Sequence, residues 1–185
     1  QSRYITVLFS DIRGFTTLSE KRSPEEIVNL LNRYFSLQVE IVFRHGGTLD
    51  KFIGDAIMAF LGAPQDDPQH AQHAVEAALE MEQALLRFKD ELGEEGKDFD
   101  VGIGIHTGKA VVGFIGSDAR MDYTAIGDTV NLSSRIEGLT KGVARILVSG
   151  DTASHCQNAF DFKPTGSYKV KGRLQEVELF TPIHT

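Results

Sequence analysis

A chain of 185 residues is long enough for one domain with a full core, with about 70% of its surface buried on folding. Hydrophobic content of 41% and charged content of 24% are ordinary for a globular protein, and a net charge of −7 without a basic run argues against nucleic-acid binding. Cys156 is the only cysteine, which excludes an internal disulfide and fits a reducing cytoplasm.

In chain order, Gln1 stands where a start methionine would, and strand residues begin by Tyr4. The expectation is a single domain, 1–185, cut from a longer protein that has room for an upstream membrane anchor or sensor. No membrane contact is expected of this stretch itself, because no apolar run approaches the ~18 residues of a span. Tyr4 to Phe9 reads as a short buried strand. Ser23, Pro24 and Glu26 then form a capping box, with Ser at the N-cap, Pro at the first helical position and Glu at the third. The helix they open places Ile27, Leu30, Leu31, Tyr34, Phe35 and Ile41 on one face and ends near His45-Gly46-Gly47.

Two apolar runs follow, Leu49 to Ile53 and Ala56 to Phe60, separated by Gly54-Asp55, the pattern of a β-hairpin with Asp55 at its tip. A second lone carboxylate, Asp11, ends the first strand in Phe9-Ser10-Asp11-Ile12-Arg13-Gly14-Phe15-Thr16. Each Asp alone reads more readily as a turn residue. Two of them at the mouths of neighbouring strands make a hard-metal site and suggest phosphoryl transfer.

Pro64 to Pro68 reads as a loop, Gln69 to about Leu92 as a second helix, and Gly93 to Asp98 as a charged turn. Val101 to Ile115 reads as two strands joined near Gly108-Lys109. Its glycines fit neither the dinucleotide fingerprint nor a P-loop, and are read as packing sites beneath a helix. Asp128 is expected to N-cap a helix from Thr129 to about Leu139. Ile146 to Val148, Phe162 to Tyr168 and Glu176 to Phe180 read as strands, with a helical turn at Thr152 to Cys156. His70 and His73 read as a solvent-facing pair, His106 as a satisfied interior or interface histidine, and Cys156 as packing. Helices interleaved with strands imply α+β or α/β with one mixed sheet, and the pattern alone does not choose.

FSDIRGFT and LDKFIGDAIMAF together resemble the class III nucleotidyl cyclases, from about Ile5 to Phe180. A third stretch, Gly127 to Arg135, matches the family's G-x-x-V-N-x-x-x-R pattern at every fixed position. The resemblance implies an α+β fold: a ferredoxin-like βαββαβ palm with a mixed, mostly antiparallel sheet and additional C-terminal strands. It implies adenylate cyclase activity, converting ATP to 3′,5′-cyclic AMP and pyrophosphate for signalling. Asp11, Asp55 and the carbonyl of Ile12 would hold two Mg²⁺ or Mn²⁺ ions per site. Asn131 would orient the ribose, and Arg135 would stabilise charge on the reacting phosphate. Backbone N–H groups of Gly14, Phe15 and Thr16, with Lys171, would bind phosphate.

Base choice falls by resemblance to Lys51 and Thr124. Lys51 can donate to adenine N1 and Thr124 can accept from the 6-amino group, whereas guanine presents the opposite pattern. The Lys–Thr pair departs from the Lys–Asp pairing of many adenylyl cyclases. It resembles a bacterial subgroup in which many members respond to bicarbonate, a possible effector here. Family resemblance also implies a homodimer with active sites at the interface, one protomer supplying the metal carboxylates and the other the remaining set. Guanylate cyclase and a non-catalytic nucleotide-sensing or dimerisation domain are the alternatives. A diguanylate cyclase is set aside, because its GG-[DE]-E-F turn is replaced by Ile53-Gly54-Asp55-Ala56-Ile57.

Overall fold

The computed structural model describes residues 1–156 and 158–183. Its elements run β1 (Ser2–Arg13), α1 (Thr16–Lys21), α2 (Pro24–Arg44), β2 (Thr48–Ile53), β3 (Ala56–Leu61), α3 (His70–Leu92) and a 3₁₀ turn at Gly93–Gly96. They continue with β4 (Asp100–Ser117), β5 (Arg120–Ile126), α4 (Asp128–Gly138), β6 (Ile146–Ser149), α5 (Gly150–His155), β7 (Asp161–Tyr168) and β8 (Val177–Ile183). One sheet has the order β2-β3-β1-β4-β6-β8-β7, with β5 paired to β4 beside this path. Only the β4–β6 pairing is parallel among the described strands. The first four strands stand in the order 2-3-1-4, with helices crossing between β1 and β2 and between β3 and β4. That is the βαββαβ palm expected, so the fold class is α+β.

Burial on both faces explains why β1 reads as a nearly continuous apolar run. Leu8 and Ile12 face α2 and α3, where they meet Tyr34, Ile41, Met81 and Phe88. Ile5, Val7 and Phe9 point to the opposite face, against Met58, Phe60 and Val112. The capping box at the start of α2 forms as expected, Ser23 and Glu26 each satisfying the other's backbone N–H. The hairpin around Asp55 forms as well, with Gly54 at φ +59° in a turn that L side chains rarely adopt.

Three expectations are corrected. Val101 to Ile115 is not two strands: β4 runs unbroken for 18 residues, and Gly108 sits in register opposite Ile5 rather than in a turn. Its hairpin partner is β5, which the sequence reading did not separate from the motif that follows. The glycines of β4 do lie beneath a helix: a Cβ on Gly104 would overlap the Glu137 backbone nitrogen of α4. Asp128 is the first residue of α4 rather than its cap; Gly127, at φ +131°, is the N-cap, and the Asp128 carboxylate pairs with Arg173. His70 is buried rather than solvent-facing, with Nδ1 2.6 Å from the Thr6 hydroxyl. Thr6 lies 64 residues earlier on β1, and the packing of α3 against the sheet brings the two together. His106 is interior as expected, its Nδ1 2.7 Å from the Ser149 hydroxyl, and Cys156 is fully buried.

Candidate active site

The antiparallel pairing of β1 with β3 sets Asp11 opposite Ala56, next to the hairpin tip that carries Asp55. The Ile12 N–H donates to the Asp55 carbonyl at 3.4 Å, tying the two segments together. Asp11 is half-buried and Asp55 exposed. Burial, and then the charge of Asp55, push the Asp11 carboxyl above its ordinary range, against smaller opposing effects from the Ile12 backbone and Arg13. Glu137, on α4, is pushed up to about 7 by burial and then by the charge of Asp11. The end of β1 thus gathers carboxyl groups whose mutual repulsion Arg13 offsets only in part. Among the described residues no cluster of three or more His, Cys, Asp or Glu side chains forms a closed metal cage. Two carboxylates with hard oxygen donors and open coordination fit Mg²⁺ or Mn²⁺. Mg²⁺ keeps its waters and takes further ligands from substrate phosphates.

Immediately after β1, Gly14 at φ +69° lets the chain turn where a Cβ would overlap the Asp98 carbonyl. Phe15 is the N-cap of α1, which begins at Thr16 with neither a side-chain cap nor an acidic residue in its first turn.

Lys51 and Thr124 are 73 residues apart, and the structure brings them together, Lys51 Nζ donating to Thr124 Oγ1 at 3.4 Å. A third residue, Asp50, completes this corner and was absent from the sequence reading. Its carboxylate accepts from the Thr124 hydroxyl (2.6 Å) and the Ala125 N–H (3.2 Å), and stands 3.5 Å from Lys51 Nζ. Neighbours on a regular strand point to opposite faces. Here the register of β2 against β3 shifts between Leu49 and Lys51, and the irregularity lets Asp50 and Lys51 both face β5. The Asp50 side chain is 0% exposed, whereas Lys51 is 47% exposed, so the carboxylate forms the floor and the ammonium the rim.

On α4, Leu132 and Ile136 are buried. The Ser133 hydroxyl lies within hydrogen-bond distance of the Val7 and Gly104 carbonyls, at 2.8 and 3.1 Å, and fixes the helix on the sheet. Asn131 and Arg135 share the outer face, as their spacing of four requires. Arg135 Nη1 donates to the Lys171 carbonyl at 2.6 Å, and Arg173 pairs with Asp128, so the loop after β7 is fastened at both ends of this face. Lys171 is exposed and contributes its backbone to that contact.

The expected residues therefore form three groups: Asp11, Ile12 and Asp55; Lys51 and Thr124; Asn131, Arg135 and the Lys171 loop. Among the described residues, no hydrogen bond or ion pair joins one group to another.

Comparison with known proteins places the chain in a family. Residues 1–181 match the family described as the adenylate and guanylate cyclase catalytic domain. Adenylate cyclase 1 of Rhizobium meliloti is 43% identical over 97% of this chain, which spans 27% of that protein's length. The adenylyl cyclase CyaB of P. aeruginosa superposes with a TM-score of 0.91 at 37% identity, over 100% of this chain and 96% of that one. The guanylyl cyclase Cya2 superposes with a TM-score of 0.89 at 38% identity, over 98% and 92%. The chain belongs to the adenylate and guanylate cyclase catalytic domain family.

Proposed function

We propose that this domain is an adenylate cyclase, forming 3′,5′-cyclic AMP and pyrophosphate from ATP. The observation that carries the choice of base is the contact of Lys51 with Thr124. Overall likeness does not separate the substrates, since an adenylyl and a guanylyl cyclase superpose almost equally well. In this reading the Lys51 ammonium donates to adenine N1 and the Thr124 oxygen accepts from the 6-amino group. Guanine would set its N1–H against the ammonium.

The ribose 3′-oxygen attacks the α-phosphorus in line, the bond to the bridging oxygen breaks, and pyrophosphate leaves. Asn131 orients the ribose, and the Arg135 guanidinium, held by the Lys171 carbonyl, places fixed positive charge beside the phosphorus where negative charge builds up. Backbone N–H groups from Gly14 to Thr16 and the Lys171 ammonium hold the triphosphate. Asp11, Asp55 and the Ile12 carbonyl would hold two divalent cations, which supply acidification of the 3′-hydroxyl and neutralisation of the triphosphate.

Because no hydrogen bond or ion pair joins the three groups among the described residues, the reading includes a two-fold homodimer with each site lined by both protomers. It also includes a place in the Lys–Thr subgroup with bicarbonate as effector, for which the Lys51–Thr124 pair is the support. The domain would be the catalytic part of a longer regulated protein: the chain spans 27% and 36% of the length of two curated adenylate cyclases it matches. A cytoplasmic location rests on the single reduced cysteine; no helix among the described residues is long and apolar enough to cross a membrane.

Lys51→Glu combined with Thr124→Cys tests the choice of base. The ratio of kcat/KM for ATP over GTP is expected to fall without full inversion. Lost polar readout in a buried site is worth up to about 10⁴–10⁵, and rebuilding recovers little of it. Full ATP preference in the double variant would place base reading elsewhere.

A further inference from the structure

We infer that Asp50 sets the nucleotide preference by fixing which way the Thr124 hydroxyl points, an inference that rests on Thr124 reading the base. A threonine hydroxyl has one hydrogen and two lone pairs, so by itself it can donate or accept. An ionised carboxylate only accepts. With the Thr124 hydrogen committed to Asp50 at 2.6 Å, the oxygen turns only lone pairs toward a ligand. That oxygen welcomes the 6-amino group of adenine and repels O6 of guanine. Thr124 thereby behaves as an acceptor alone, although its side chain is neutral.

The surroundings require a carboxylate at position 50. Three donors converge on it: the Thr124 hydroxyl, the Ala125 N–H and the Lys51 ammonium. One oxygen takes the first two, and the other, which has no hydrogen-bond partner among the described residues, faces Lys51. An amide cannot serve all three. Placed with its oxygen toward Thr124 it turns NH₂ against the ammonium; reversed, it donates to Thr124 and frees that hydroxyl to bond guanine O6. The side chain is 0% exposed, so water does not stand in for the missing acceptor. The strand irregularity between Leu49 and Lys51 is what aims Asp50 inward beside Lys51. Asp50 is thus a positioning residue that acts through Thr124.

The test measures kcat/KM for ATP, for GTP and for purine riboside triphosphate, which lacks any 6-substituent. Asp50→Asn and Asp50→Ala are both made and checked for fold by circular dichroism; in the second, water entering the gap both donates and accepts, so Thr124 again turns freely. Each is expected to lower the ATP/GTP ratio, and the ATP preference over the purine analogue, by about 10- to 100-fold, the worth of one buried hydrogen bond. Asp50→Glu, which keeps an acceptor-only group, should retain more of the ratio than Asp50→Asn. In a Thr124→Val background, substituting Asp50 should no longer move either ratio, an outcome that a general loss of packing would not give. Unchanged ratios in whichever Asp50 variant folds overturn the inference. If Thr124→Val alone moves neither ratio, base reading by Thr124 is itself wrong, a result distinct from failure of Asp50 alone.

Discussion

Asp55→Asn is expected to leave the fold intact and to lower cyclase turnover at least about 10²-fold, the usual cost of removing one strong electrostatic stabiliser. Asp55 is exposed at a hairpin tip, so its charge supports no packing that the amide would disturb. Asp11→Asn should behave alike in activity and differ in stability. Burial and the neighbouring Asp55 hold the folded Asp11 carboxyl above its ordinary range. A group raised in this way costs stability where it is ionised and favours the folded state only as pH falls. At neutral pH the Asp11→Asn variant should therefore melt no lower than wild type while its turnover collapses. Thermal melting and steady-state cyclase assays, both at pH 7, check the pair. Near-wild-type turnover in either variant would remove the metal-binding assignment. The juxtaposition makes sense as a functional cost: two carboxylates are kept together against their own repulsion.

A second large effect is expected from mixing two inactive proteins, Asp55→Asn and Arg135→Ala. If each site takes its carboxylates from one protomer and its Arg from the other, a mixed dimer collects both lesions in one site and neither in its twin. Statistical exchange makes half the dimers mixed. An equal mixture should then regain about a quarter of wild-type activity per chain when the sites act independently. Dilution of wild type should likewise lower activity faster than linearly, because only the dimer assembles a site. The motivation is that no hydrogen bond or ion pair joins the three groups within one chain, among the described residues. No recovery after labelled chains have shown subunit exchange would mean that each site lies within one chain.

Local chemistry made much of this fold readable. The capping box of α2 is a signal within four residues, and the Gly54-Asp55 turn needs only its flanking apolar runs. Misreading began where one residue type serves two purposes. Gly108 suggests a turn, yet in β4 it lies flat in register, and a Cβ there would press on Thr129 of α4. Close helix approach and chain reversal both favour glycine, and only the tertiary neighbour tells them apart. Strand β5 alternates Met121, Tyr123 and Ala125 with polar residues, a short period that runs directly into the helix motif beyond it and is masked by it.

The candidate site divides in the same way. Asp11, Asp55, Asn131 and Arg135 stand at fixed spacings within short motifs, so a sequence can display them. Asp50 was invisible for a specific reason: strand alternation sends it to the face opposite Lys51, and only the irregularity in β2 reverses that assignment. Its partner Thr124 lies 74 residues away and shares no local pattern with it.

Whether this domain cyclises ATP is decided by incubating the protein with ATP or GTP and Mg²⁺ or Mn²⁺ and identifying the products. The expected products are 3′,5′-cyclic AMP and pyrophosphate in equal amounts, with kcat/KM for ATP well above that for GTP. A folded, dimeric protein that makes no cyclic nucleotide, or one that prefers GTP, would contradict it.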